Sequence, residues 1–206
     1  MQRPALIIDF GNVVAHFGYG PTCARLARYC GVSTESLAGR LEQVRSAPFV
    51  REYERGAMSS EAFAQKVCEA LSLDVPFREF AEAFCEIFEL NEPVAQLVAV
   101  LKKRGYTLVL GSNTNALHAE HFRRQFAEAL GHFDRLVLSF EIGMLKPEPG
   151  FYLACAQAAL APPGSCLFID DLVENVEGAN SAGLVGIHYR DFDSLAAKLR
   201  AVGVQT

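Results

Sequence analysis

Four polar sites each follow an apolar run: Asp9 in ALIIDFGNVVAHF, Ser112 after TLVLG, Lys146 in the loop after LVLSF, and the pair Asp170 and Asp171 after CLFI. The runs are short and rich in Val, Ile and Leu, the pattern of strands buried on both faces. Ligands of open parallel sheets bind outside the carboxyl ends of the strands, so these residues are expected to converge on one crevice. Asp9, Asp170 and Asp171 would repel one another there and raise each other's pKa values unless a cation sat among them, and hard oxygen ligands suit Mg²⁺. A carboxylate can also attack phosphorus and pass through an aspartyl-phosphate, which makes Asp9 the candidate nucleophile. Phosphoryl transfer is mostly positioning and charge neutralisation. Lys146 would supply positive charge, and the Ser112 hydroxyl and the backbone N–H groups of the turns after Asp9 and Ser112 would donate to phosphoryl oxygens. Asn175 is expected to tie the Lys146 and Asp171 loops together by side-chain hydrogen bonds.

The elements needed to hold these groups follow from the spacing of apolar residues. Strands are predicted over residues 5–9, 106–111, 135–139, 166–170 and 185–189, the last four alternating with helices. In the stretch before the second of them, Val94, Leu97, Val98 and Leu101 form one helical stripe and Gly105 is placed to end that helix. Between residues 17 and 90 no strand is predicted. Ser59 is a plausible N-cap with Glu61 in the first turn, and Phe77, Phe80, Phe84 and Ile87 or Phe88 make a stripe at helical spacing that serves packing. The expected fold is α/β: a doubly wound, Rossmann-like parallel sheet with a small inserted helical cap. Residues 1–16 and 91–206 would form the catalytic core and 17–90 the cap, carried on hinges near 15–20 and 88–92.

DFGNV, the strand ending GSNTN, EIGMLKPEPGFY and FIDDLVENVEGANSAG resemble the four ordered motifs of the haloacid dehalogenase superfamily, spanning nearly the whole chain. Within it the chain is similar to a branch whose first motif reads DxGNV, typified by a bacterial phosphatase of α-D-glucose 1-phosphate; SNTNALH and YERGAMSSEAF share that likeness. The resemblance implies Asp9 as nucleophile and magnesium ligand, with the Gly11 carbonyl and Asp171 as further ligands and Asp170 as a direct or water-bridged one. It places Ser112, Asn113 and Lys146 on the phosphate, and His118 and Arg55 within reach of the rest of the substrate. The function implied is Mg²⁺-dependent hydrolysis of a small phosphate monoester, such as a sugar phosphate and in particular an anomeric one.

Most phosphatases of the superfamily carry a second Asp two residues after the nucleophile, as acid and then base. Here that position is Gly11. Losing such help costs about 10²- to 10⁴-fold. Three accounts compete: a substrate with a good leaving group, which is preferred; a replacement proton from a cap residue or His16; or a vestigial enzyme that only binds phosphorylated metabolites. Arg51, Arg55 and Glu54 in VREYERG form either a solvated surface or a substrate contact, and His118 and His121, three apart, lack a third metal-ligand partner. The rival reaction is 2-haloacid dehalogenation, which uses no metal; retention of both Asp170 and Asp171 argues against it.

The chain has 206 residues, half of them hydrophobic, and a formal charge of -5 without a Lys/Arg cluster. This argues against a nucleic-acid groove, and no apolar stretch approaches the roughly 18 residues of a membrane span. A cytoplasmic monomer or homodimer acting on a small phosphorylated metabolite is expected. Cys23, Cys30, Cys68, Cys85, Cys155 and Cys166 form no CxxC pair and read as free thiols within apolar elements.

Overall fold

The computed structural model describes residues 3–206, so the first two residues assigned to the core lie outside the described residues. Five parallel strands build the sheet: β1 (Ala5–Ile8), β4 (Leu108–Ser112), β5 (Arg135–Leu138), β6 (Cys166–Asp170) and β7 (Val185–His188), in the order β5-β4-β1-β6-β7. Side chains alternate across each strand, so Leu6, Ile8, Leu108, Leu110, Leu167 and Ile169 enter one core cluster. Ala5, Ile7, Val109, Val137, Cys166 and Phe168 enter the other, on the opposite face. The first face is covered by α6 (Glu92–Lys103), α7 (Ala116–Gln125), α8 (Ala127–Leu130) and α12 (Phe192–Ala201), the second by α10 (Pro149–Ala158) and α11 (Val173–Ser181). This is the doubly wound arrangement expected. Helix α6 stops at Lys103 and Gly105 takes a φ of +78°, a conformation that favours glycine.

The stretch expected to hold no strand begins and ends in one. Strand β2 (Ala15–Phe17) pairs antiparallel with β3 (Phe88–Leu90), in the register Ala15 to Leu90, His16 to Glu89 and Phe17 to Phe88. Three residues show no periodicity, so the two hinges could not be read as a ribbon. Buried Asn91 anchors its base, donating from Nδ2 to the Val13 carbonyl and the Tyr189 hydroxyl at 2.8 Å each.

Between the ribbon strands lie α1 (Gly20–Leu26), α2 (Thr34–Arg45), α3 (Pro48–Glu54), α4 (Ser60–Leu71) and α5 (Phe77–Cys85). They share a hydrophobic cluster of their own, with Leu37, Tyr53, Phe63, Val67, Leu71, Phe80 and Phe84 at its centre. Ser59 caps α4 by accepting from the Ala62 N–H at 3.2 Å. Of the Phe stripe, Phe80 and Phe84 are buried, whereas Phe77 at the start of α5 is 38% exposed. All six cysteines are free thiols, four of them buried.

Contacts at α3 and α5 join these helices to the sheet domain. The Leu117 N–H of α7 donates to the Tyr53 hydroxyl at 3.2 Å. Arg55 pairs with Glu148 and donates to the Gly143 carbonyl at 3.1 Å, against the end of α9 (Ser139–Ile142). His118, on α7, stacks on Phe84 with ring centroids 4.2 Å apart. Its Nε2 lies 3.0 Å from the Phe84 carbonyl and its Nδ1 3.1 Å from Asn115 Nδ2, which requires the neutral Nε2–H ring. Burial pushes its pKa down to about 4.

Two stability measurements follow from these contacts. Gly56 has a φ of +72° and a Cβ there would stand 2.2 Å from the Phe140 carbonyl oxygen, so Gly56→Ala is expected to lower the unfolding free energy by about 2 kcal/mol in urea melts. His118 has a folded-state pKa below its ordinary 6.5, so its share of stability is complete above pH 6.5 and is lost as pH falls toward about 4. Relative to His118→Phe, the wild-type protein should lose up to about 1.4 kcal/mol per pH unit across that window. Parallel pH curves for the two proteins would show that the ring does not titrate there.

Candidate active site

The parallel register that matches Ile8 to Ile169 brings Asp9 beside Asp170 at the carboxyl ends of β1 and β6. Lys146 reaches between them from the loop after α9, its Nζ 2.7 Å from Asp9 Oδ1 and 2.7 Å from Asp170 Oδ2. All three are buried. Asp170 is held by two further donors on Oδ1, the Leu172 N–H and Asn175 Nδ2, both at 2.9 Å. Asp9 Oδ1 also accepts from the Phe10 N–H at 2.8 Å. Among the described residues no donor engages its Oδ2, which leaves that oxygen for an incoming electrophile or a metal.

Electrostatics follow the burial. Loss of solvent pushes the Asp9 carboxyl up to about 7, Lys146 draws it back, and Asp170 and Asp171 raise it. For Lys146, burial disfavours the ammonium, but the two carboxylates outweigh it and hold the pKa above the ordinary lysine value. Asp171 is half-buried, and its carboxyl is raised first by burial, against a 3.1 Å hydrogen bond from Asn12 Nδ2. Carboxylate oxygens of Asp9, Asp170 and Asp171 lie within 4.8 Å of one another. Three carboxylates against one ammonium leave negative charge that a divalent cation would balance, and the all-oxygen donor set fits Mg²⁺.

A cavity of about 520 Å³ opens between the helices and the strand ends. Gly11, Ser112, Asn113 and His118 line it, beside Phe10, Phe17, Tyr19, Tyr53, Phe63, Phe84 and Phe88. Arg51 and Glu54 of α3 and Arg45 of α2 enter the same lining, with Arg45 lying 5.3 Å above the Tyr19 ring.

Several residues play other parts than the sequence suggested. Asn113 is turned to the backbone of Lys146, accepting from its N–H at 2.8 Å and donating to its carbonyl at 3.1 Å, so its side-chain amide positions the lysine. His118 is a cavity wall whose nitrogens are both taken by Phe84 and Asn115. Arg55 is absent from the cavity lining because Glu148 and the Gly143 carbonyl occupy its guanidinium. Asn175 holds Asp170, not the Lys146 or Asp171 loop, through Nδ2, while its carbonyl accepts from the Tyr152 hydroxyl at 2.8 Å. His16 is exposed on β2 and lies outside the lining. Asn12 of DFGNV, to which the sequence pattern assigns no task, donates to Asp171. Its φ of +55°, in the region that Asn tolerates better than most side chains, accompanies its bond to Asp171.

Comparison with known proteins identifies the family and the fold. The family model for haloacid dehalogenase-like hydrolases matches residues 4–183. Bifunctional epoxide hydrolase 2 of Rattus norvegicus is 31% identical over 147 residues, 70% of this chain, which spans only 26% of that longer protein. Sesquiterpene phosphatase astK of Aspergillus oryzae is 25% identical, covering 95% of this chain and 94% of its own. The solved structure of a HAD family enzyme from Bacteroides thetaiotaomicron, in complex with magnesium and inorganic phosphate, shares the fold with a TM-score of 0.76 at 21% identity, covering 92% of this chain and 95% of that one. No helix among the described residues is long and apolar enough to cross a membrane. With the family model spanning most of its length, the chain belongs to the haloacid dehalogenase-like hydrolases.

Proposed function

We propose that this protein is a Mg²⁺-dependent phosphatase that hydrolyses a small organic phosphate monoester through an aspartyl-phosphate on Asp9. The observation that carries the reading is the buried cluster in which Lys146 bridges Asp9 and Asp170 with Asp171 alongside. A metal-free substitution at carbon has no use for this crowding of carboxylates, whereas a phosphoryl group needs the cations that such a cluster gathers.

Each residue then has a separate task. Asp9 attacks phosphorus with Oδ2 while its Oδ1 is kept in place by Phe10 and Lys146. Lys146 offsets charge on the transferring group, and Ser112, 2% exposed at the end of β4, offers a hydroxyl to the same oxygens. Asp9, Asp171 and the Gly11 carbonyl would hold Mg²⁺, with Asp170 orienting Lys146 from behind or joining through water. The ion would supply further charge neutralisation at the phosphoryl oxygens. Residues 17–90 serve as the cap, whose helices restrict water at the aspartyl-phosphate.

The alcohol half of the substrate faces the cavity. A sugar phosphate, including an anomeric one such as glucose 1-phosphate, fits its volume, and its polar side chains suit hydroxyl groups. The seven aromatic rings on its wall favour a second class, esters of apolar or ring-bearing alcohols, a class to which the similarity to the Aspergillus protein also points.

Phosphate release from a panel of sugar, prenyl and aryl phosphates, with Mg²⁺ or with EDTA, tests the reading. Turnover should require the metal, fall by about 10³-fold or more in Asp9→Asn, and fall by about 10²- to 10³-fold in Lys146→Met. Full activity in Asp9→Asn would refute it. Chloride release from a 2-haloacid without phosphate release would make the protein a dehalogenase, and ligand-induced thermal stabilisation without either would make it a binding protein.

A further inference from the structure

Hydrolysis of a phosphate ester needs a proton for the departing alkoxide, and the first loop does not provide one. Position 11 is glycine, and a Cβ there would stand 3.1 Å from the Phe17 ring, closer than ordinary van der Waals contact. An aromatic ring from β2 thus fills the space next to this residue. The acid must come from elsewhere in the cavity lining, and most titratable groups there are already committed. Both nitrogens of His118 are engaged, and the Tyr53 hydroxyl is bound to Ser60 and the Leu117 N–H. Burial pushes Tyr19 up to about 12, and Arg45 and Arg51 are permanent cations. Glu42 is largely exposed and paired with Arg45 at 2.9 Å. Glu54 remains.

Its backbone is well fixed. The preceding residue, Tyr53, is tied to α7, the following one, Arg55, to Glu148 and Gly143, and Gly56 is pressed against the Phe140 carbonyl. Both neighbours of Glu54 are therefore anchored to the domain that carries Asp9 and Lys146. Its half-buried side chain lines the cavity and feels Arg51, Arg45 and Lys146 through charge, and among the described residues no hydrogen bond holds it. We infer that Glu54 is the catalytic acid and base of the phosphatase reaction proposed above, on which this inference rests.

In the first step the Asp9 Oδ2–phosphorus bond forms, the phosphorus–oxygen bond to the alcohol breaks, and the Glu54 carboxyl proton passes to the leaving oxygen. In the second, the Glu54 carboxylate takes a proton from water as its oxygen attacks phosphorus and the bond to Asp9 breaks. Glu54 ends protonated and Asp9 ionised, as they began. Burial raises the Glu54 pKa above the ordinary glutamate value, while Arg51, Arg45 and Lys146 draw it back only in part. A proton held to higher pH is what a donor at this place requires.

Single-turnover kinetics on two esters, with Glu54→Gln and Glu54→Asp, test the assignment. An alkyl phosphate needs protonation of its leaving group; p-nitrophenyl phosphate does not. In Glu54→Gln the first release of alcohol from the alkyl ester should slow by about 10²- to 10⁴-fold, with the basic limb of its pH profile lost. The first release of nitrophenol should stay within about threefold of wild type, followed by slow turnover as the aspartyl-phosphate accumulates. Glu54→Asp should restore part of the loss, and an unchanged Tm in both variants shows that the fold is intact. Equal slowing of the first turnover on both esters, or no slowing on either, overturns the inference while wild-type turnover keeps the phosphatase reading. Silence of the wild-type protein on both esters overturns that reading itself.

Discussion

A lysine ammonium buried between two carboxylates sets the terms for the rest of this site. Removing Lys146 from water costs several kcal/mol, and the position is tenable because Asp9 and Asp170 each meet Nζ at 2.7 Å. That geometry depends in turn on the sheet. The Asp9 N–H donates to the Ile169 carbonyl at 2.9 Å, continuing the β1–β6 ladder by one residue and setting the two carboxylates side by side. A slip of one residue in that register would turn Asp9 to the opposite face. The loop is fixed with equal care, because Asn113 at the end of β4 grips both the N–H and the carbonyl of Lys146. Three strand ends thus cooperate to hold one cation.

The two carboxylates bound to that cation have different environments and so different capacities. Asp170, with no exposed surface, accepts from Lys146, Leu172 and Asn175, and its oxygens are committed to structure. Asp9 has one oxygen committed and one open, and burial leaves its carboxyl up near 7. Two chemically identical groups are given different environments, one with both oxygens engaged and one with an oxygen open, as in other carboxylate pairs whose surroundings set them apart. A divalent cation beside them would replace part of the lost solvation and return Asp9 to the anionic form that a nucleophile needs.

The strands and the convergence of their ends were legible in the sequence because buried parallel strands are written as continuous apolar runs, and a polar residue closing such a run stands out. The helical block over residues 17–90 was legible for the same reason of periodicity, down to the Ser59 cap. Partner choice was not. Arg55, Asn113, His118 and Asn175 each have a side chain able to bind substrate, and each is taken up by a group distant in sequence: Glu148, the Lys146 backbone, Phe84 and Asp170. Such pairings are set by how the elements pack, which local patterns do not encode. The β2–β3 ribbon escaped notice because three residues per strand carry no period, and its exposed His16 and half-buried Phe17 give no alternation to follow.

The two kinds of attachment between the helices and the sheet domain differ in strength, and the difference bears on how a substrate reaches Asp9. The ribbon is held by backbone hydrogen bonds and by buried Asn91, whose amide would be left unsatisfied if the ribbon came apart. The far side is held at the end of α3 by the Arg55–Glu148 pair, with both side chains 36% exposed, by the Arg55 bond to the Gly143 carbonyl and by the Leu117 N–H bond to the Tyr53 hydroxyl. An ion pair so open to solvent contributes at most about 1 kcal/mol. Any separation of the two bodies is therefore cheapest at α3 and dearest at the ribbon. Glu54 lies on the cheap side, so the same contacts that admit or exclude solvent also hold the backbone of a cavity-lining carboxyl that feels the Lys146 charge.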